Sequence, residues 1–269
     1  MKRREFLRTS LAASALAATA VGAQRAGAQE AAPGGEREFY QLRRYQLSRG
    51  PQIKLTNDYF GSALVPALNR MGIRPVGVFN ESIGPGTPVM YVLIPGASVE
   101  TLVTIDERLR KDDDYTKAAA SFVTAPGKEP PFEREESWLL QAFETHPKIT
   151  LPPASASGGP RVFELRTYES PSLQDHWRKV EQMNSGEGAI FTKAGIPQVF
   201  YGDVLIGSRQ PCLTYMLCFN SLAERDARWD AFRNSPEWKA LSTDPKYAYE
   251  DIVTNITNVM LTPADYSQI

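Results

Sequence analysis

The chain has 269 residues, of which 42 % are hydrophobic, 23 % charged and two are cysteine, with a formal net charge of −1. The balanced charge leaves no electrostatic footprint for nucleic acid. Beyond the N-terminal region no stretch is apolar for long enough to span a bilayer, and two cysteines on one strand-like segment, Cys212 and Cys218, read as buried apolar groups rather than a disulfide.

In chain order, Lys2-Arg3-Arg4-Glu5-Phe6-Leu7 opens a charged region, an uncharged Ala-rich run follows from Leu11 to Ala23, and Ala26-Gly27-Ala28 offers a cleavage site after Ala28. These are the three parts of a signal peptide. The pair Arg3-Arg4 followed by x-Phe-Leu favours twin-arginine export over an ordinary secretory signal. The expectation is a signal peptide over 1–28, a loose tail over 29–36, and a periplasmic or secreted protein that folds before export.

The rest of the chain repeats itself. Tyr40-Gln41-Leu42-Arg43-Arg44-Tyr45 returns as Phe163-Glu164-Leu165-Arg166-Thr167-Tyr168, 123 positions later. Gly72-Ile73 returns as Gly195-Ile196, Pro88 as Pro211, Ser98 as Ser221 and Arg110 as Arg233 at the same offset. A period that long excludes a solenoid and indicates two copies of one small domain, over 37–150 and 161–269. A Pro/Ser/Gly-rich linker at 151–160 joins them.

The first copy predicts strands at about 39–47, 75–81, 89–94 and 136–144, and helices at 52–71, 99–109 and 115–122. An insertion at 124–135 reads as a surface loop. The second copy predicts strands at 161–168, 198–205, 212–219 and 251–261. Its helices run from Ser172 to about Met183, through a further stretch to Gly195, and from Ser221 to Arg233, with Ser221 and Glu224 forming a capping box. Ser235-Pro236-Glu237 begins another helical turn. The order β-α-β-β-α-β is the split βαβ, ferredoxin-like plan, an α+β fold.

Glu164-Leu165-Arg166-Thr167-Tyr168, the Gly195-Ile196 turn, and Ser221-Leu222-Ala223-Glu224-Arg225 leading to Ser235-Pro236-Glu237-Trp238 resemble the NIPSNAP family. The first copy shares Leu42-Arg43-x-Tyr45 but has Gln41 for the acid and no S-P-E-W. The resemblance implies the dimeric α/β barrel superfamily, in which two sheets face each other. Here the two copies would build the barrel within one chain, as a pseudodimer that leaves further association open. Related barrels include cofactor-independent monooxygenases and haem-handling proteins.

Strand side chains alternate faces, and a split βαβ sheet has one face covered by helices and one that needs a partner. Phe163 and Leu165 are expected under the helices. Glu164, Arg166 and Tyr168, with Gln41, Arg43 and Tyr45, are then expected to meet inside the barrel and line a ligand cavity between its halves. Arg43, without an acidic neighbour, is the stronger candidate to hold an acidic ligand. The rival reading is that Glu164 and Arg166 pair and merely fill space.

Other signals are weaker. His176, whose first-copy counterpart is Ile53, reads as packed, with a haem or metal ligand as its rival role; His146 reads as exposed. The four tryptophans read as packing residues, and Asp112-Asp113-Asp114 as helix-capping or solvated. No zinc-type cluster, nucleophile elbow, P-loop or dinucleotide fingerprint is present. No metal and no cofactor is expected, with haem as the alternative. The functional expectation is binding of a small, partly apolar or acidic molecule, with cofactor-independent oxygenation or isomerisation if the protein is an enzyme. The alternative is a non-catalytic protein-interaction module using the insertion at 124–135, which a barrel filled by its own side chains would favour.

Overall fold

The computed structural model describes residues 36–86 and 88–269. The signal segment with Arg3, Arg4 and the cleavage site after Ala28, and all but the last residue of the 29–36 tail, lie outside the described residues.

The first copy supplies strands β1 (Phe39–Gln46), β2 (Gly77–Ile83), β3 (Val89–Gly96) and β4 (Arg134–Ala142). Its helices are α1 (Pro51–Tyr59), α2 (Val65–Arg70), α3 (Val99–Val103), α4 (Ile105–Leu109), α5 (Asp113–Ala118) and α6 (Ala120–Val123). A short helix, α7 (Pro153–Ser157), ends at Gly158, whose φ of 65° suits glycine. The second copy supplies β5 (Val162–Glu169), β6 (Gln198–Ile206), β7 (Cys212–Phe219) and β8 (Asn255–Pro263). Its helices are α8 (Leu173–Gln182), α9 (Gly188–Lys193), α10 (Leu222–Asn234), α11 (Pro236–Ser242) and α12 (Tyr249–Ile252).

All eight strands close into one antiparallel barrel in the order β1-β3-β2-β8-β5-β7-β6-β4. Each copy keeps the split βαβ order, and two seams join them: β2 with β8, where Phe79 faces Pro263, and β4 with β6, where Ala142 faces Gly202. The expected single-chain α/β barrel is the observed fold. A closed barrel leaves no strand edge exposed. At the second seam a Cβ on Gly202 would fall 2.8 Å from Leu140, so glycine lets the sheets approach.

Two local differences from the sequence reading have simple causes. The last strand begins at Asn255 rather than 251, because Asp251 and Ile252 donate backbone bonds to Ala248 and close a helical turn there. The first helix of each copy is interrupted by a π-helical turn, Phe60–Leu64 and Met183–Glu187, at matching positions of the repeat. Ser221 caps α10 as expected, accepting from the Glu224 amide at 3.1 Å.

Three cores hold the fold together. The barrel interior is filled by Tyr40, Leu42, Phe79, Phe163, Leu165, Phe200 and their neighbours from both copies. Tyr40 meets Phe200 and Phe79 meets Phe163 edge-on, with ring centroids 5.3 and 4.9 Å apart. The other two cores lie between each sheet and its own helices. The face assignment made from sequence is therefore inverted: Phe163 and Leu165 fill the barrel, while Glu164, Arg166 and Tyr168 face the helices. The inter-sheet space is packed with apolar side chains where a polar ligand cavity was expected. Alternation alone separates two faces but does not say which one the helices cover, and here both are buried.

Candidate functional site

The second copy places its polar trio under α8 and α10. Glu164 is fully buried, and five hydrogen bonds end on its carboxylate. Arg166 Nη1 donates at 2.7 Å, Arg225 Nη2 and Nε at 2.6 and 2.9 Å, Trp229 Nε1 at 2.7 Å and Asn258 Nδ2 at 2.7 Å. Burial pushes the Glu164 carboxyl up, but the Arg225 hydrogen bond, the Arg166 charge and the Trp229 donor outweigh it and hold the group below the usual carboxylate range. Arg166 also donates through Nε and Nη2 to the Tyr168 hydroxyl, which lies 2.7 Å from that of Tyr215. Its guanidinium sits 4.6 Å from the Trp229 ring centre, a cation–π contact. Burial opposes the Arg166 charge, but the oxygens of Tyr215, Tyr168 and Glu164 hold the guanidinium protonated.

A second polar group lies alongside. Lys179, fully buried on α8, donates to Glu187 Oε2 at 2.6 Å and to Gln182 Oε1 at 2.8 Å, with its ammonium 5.2 Å from the Tyr168 ring centre. Glu187 reaches this position from the π-helical turn, a distortion often found at functional sites. Arg166, Tyr168, Glu187, Arg225, Trp229, Phe232 and Trp238 line a cavity of ≈ 610 Å³, a size suited to a small molecule. Residues from α10, α11 and α12 complete its mouth, with the exposed Asp251 among them.

The first copy shows what the same layer looks like when filled. At the repeat offset, Thr56 stands for Lys179, Tyr59 for Gln182, Leu64 for Glu187, Val78 for Tyr201, Val92 for Tyr215 and Asp106 for Trp229. Tyr45 is packed against Phe60 and against Phe132 of the insertion, and Phe122 stacks on Tyr59 at 3.8 Å. Arg43 is 3 % exposed; it pairs with Asp106 at 3.1 Å and Glu135 at 3.8 Å, and donates to Gln41 Oε1 at 3.0 Å. Gln41 Nε2 in turn donates to Ser137. Arg43 is thus not the better-placed arginine: the acid missing at Gln41 is supplied by Asp106 from α4. The structure does not bring the two trios together, since each faces its own helices.

The remaining candidates resolve individually. His176 is packed, as read from the sequence, with Nε2 2.7 Å from Asp203 Oδ1. His146 is half-buried rather than exposed, because its ring packs on Tyr201 and its Nε2 lies 3.3 Å from the Val199 carbonyl; burial lowers its pKa. It lines a second cavity of ≈ 740 Å³ beside the inter-copy linker. Neither histidine lines the Arg166 cavity, so no imidazole stands there to ligate a haem iron. Among the described residues no cluster of His, Cys, Asp and Glu could hold a metal ion. Asp112 caps α5 through the Tyr115 amide at 2.9 Å. Trp177 corrects the packing expectation: it is 63 % exposed, on the outer face of α8. Sequence reasoning missed Lys179, Gln182, Glu187, Tyr215 and Arg225. Their signal was available in the repeat itself, as polar residues standing where the first copy is apolar or neutral.

The NIPSNAP family profile matches residues 40–127 and 163–268, one domain in each copy. The chain belongs to the NIPSNAP family. A NIPSNAP family protein of unknown function from Agrobacterium tumefaciens is 23 % identical, covering 39 % of this chain and 89 % of its own, with a TM-score of 0.34. Two candidate monooxygenases of known structure span both NIPSNAP copies. One, from Lactobacillus acidophilus, has a TM-score of 0.53 at 10 % identity and covers 85 % of this chain and 94 % of its own. The other, from Fusobacterium nucleatum, has a TM-score of 0.51 at 10 % identity and covers 84 % and 92 %. At such identities the likeness is one of fold. No curated protein matches the chain.

Proposed function

We propose that this NIPSNAP-family chain is exported and binds a small, partly aromatic molecule bearing an anionic oxygen in the second copy's cavity, where it undergoes cofactor-independent oxygenation or isomerisation. The observation that carries this reading is the asymmetry between the copies: where the first copy has Thr56, Tyr59 and Leu64 in the layer under its helices, the second has Lys179, Gln182 and Glu187, and a cavity of ≈ 610 Å³ opens beside them. The cavity is lined by Arg166, Arg225 and Arg233 against Glu187 and Asp251, with the buried Lys179 and Glu164 behind them, four cations to three carboxylates. The excess is positive and suits an anion. Arg166 engages three of its N–H groups with Glu164 and Tyr168, and a guanidinium has five to offer. Trp229, Phe232 and Trp238 supply a wall for a flat ring.

The test is a tryptophan-fluorescence titration with 2-naphthoate, a flat aromatic carboxylate. Wild type binds saturably and Arg166→Ala binds about 10- to 100-fold more weakly, the equivalent of a charged hydrogen bond. Arg43→Ala leaves affinity unchanged. Equal affinity in wild type and Arg166→Ala overturns the reading. Export is tested separately by replacing Arg3 and Arg4 with lysine; unchanged release from the cytoplasm would exclude the twin-arginine route.

The filled barrel interior favours a second reading, a non-catalytic interaction module. In that case shortening the exposed tip of the insertion, 127–130, abolishes partner capture and leaves 2-naphthoate binding untouched.

A further inference from the structure

Glu187 lines the cavity with its side chain 2 % exposed. Lys179 holds its Oε2 at 2.6 Å, and no hydrogen bond among the described residues holds its Oε1. Burying such a pair is costly. The first copy shows that the fold does not require it, since the same positions carry Thr56 and Leu64 and the layer packs well: Thr56 and Leu64 are both fully buried. The matching π-helical turn is present in both copies, so that turn is a property of the domain, whereas the carboxylate on it is particular to the second copy.

We infer that Glu187 Oε1 is a catalytic base that removes a proton from a carbon next to a carbonyl in a flat ketone bound in this cavity. The inference rests on the ligand site proposed above. In the step, the substrate C–H bond breaks and its proton passes to Glu187 Oε1. The electron pair moves into a new C=C bond and the carbonyl becomes an enolate. Arg166, which lines the same cavity, offers the developing oxyanion the N–H groups that no described residue engages. Return of the proton to the same carbon gives exchange; return to a conjugated carbon gives an isomer. No oxidant is consumed. Lys179 acts as a positioning residue, fixing Oε2 and leaving Oε1 for the substrate.

The probe is 2-tetralone in D2O, with loss of its α-proton signals followed by NMR and binding followed by tryptophan fluorescence. Wild type accelerates exchange above buffer. Glu187→Gln binds the probe with little change and loses at least about 100-fold in exchange rate, the usual scale for general-base catalysis. If Glu187→Gln fails to fold, the double variant Lys179→Thr/Glu187→Leu, which installs the first copy's uncharged pair, serves the same purpose and also loses exchange. Wild type that binds 2-tetralone without accelerating exchange overturns the inference, as does either variant exchanging at the wild-type rate. Binding of 2-naphthoate but not 2-tetralone overturns the substrate class alone, and failure to bind both overturns the ligand site itself.

Discussion

Replacing Glu164 by glutamine tests whether the buried charge network holds the second copy together. The side chain keeps its shape but loses its charge. Five donors, from Arg166, Arg225, Trp229 and Asn258, then converge on a group with only one acceptor oxygen. At least one new N–H must face another donor, and Arg166, 12 % exposed, is left without its carboxylate. Breaking a buried ion pair in this way costs ~3–5 kcal/mol. In a domain of this size each kcal/mol lowers Tm by ~2–4 °C, so the fall is about 6–20 °C. Thermal unfolding followed by circular dichroism reads it directly. The first copy accommodates Gln41 only because Asp106 brings a carboxylate to Arg43 from the helix side, and the second copy has Trp229 at that position. A Glu164→Gln protein melting within ~2 °C of wild type, against that expected fall, would refute the argument that this carboxylate is needed where it stands.

The same carboxylate gives a pH signature. Its pKa is depressed in the folded state, so its stabilisation is fully present above the unfolded value of about 4.3 and is lost as pH falls through the lower folded value. The Tm gap between wild type and Glu164→Gln should therefore be constant near neutrality and close at acid pH; a gap that is unchanged or widens there contradicts the assignment. Cys212 and Cys218 are buried thiols that burial pushes up to about 12. At pH 8 both should resist Ellman's reagent in native protein and react on unfolding, and rapid labelling of the native state would place them elsewhere. Phe163→Ala in the barrel interior should cost ~3–5 kcal/mol in urea unfolding while sparing ligand binding, because Phe163 is fully buried against Phe79 and apart from the Arg166 cavity. Loss of binding at full stability would show that the interior takes part in the site.

The repeat and its parts are legible in the linear chain. A shared offset in strand, turn and helix segments gave two copies; period-two alternation placed β5, and Ser221 with Glu224 placed the start of α10. These are local properties, set by backbone preferences and side-chain hydrogen bonds a few residues apart, so they are written locally. The repeat also named Arg166 and Tyr168, which line a cavity under the second copy's helices and not the inter-sheet cavity expected of them. The side of the sheet on which they stand is set by long-range packing. Alternation is symmetric between faces, and an arginine pointing into a barrel has the same strand pattern as one pointing under a helix. The choice is made by Arg225 and Trp229, more than fifty residues away in sequence, whose donors surround Glu164, and by the mutual packing of Phe79, Phe163, Tyr40 and Phe200 across the seams. Burying a carboxylate demands several partners at once, and apolar rings fill a closed barrel without needing any. The cavity beside Arg166 follows from the same cause: its walls are side chains that meet only when α8, α10 and the sheet come together.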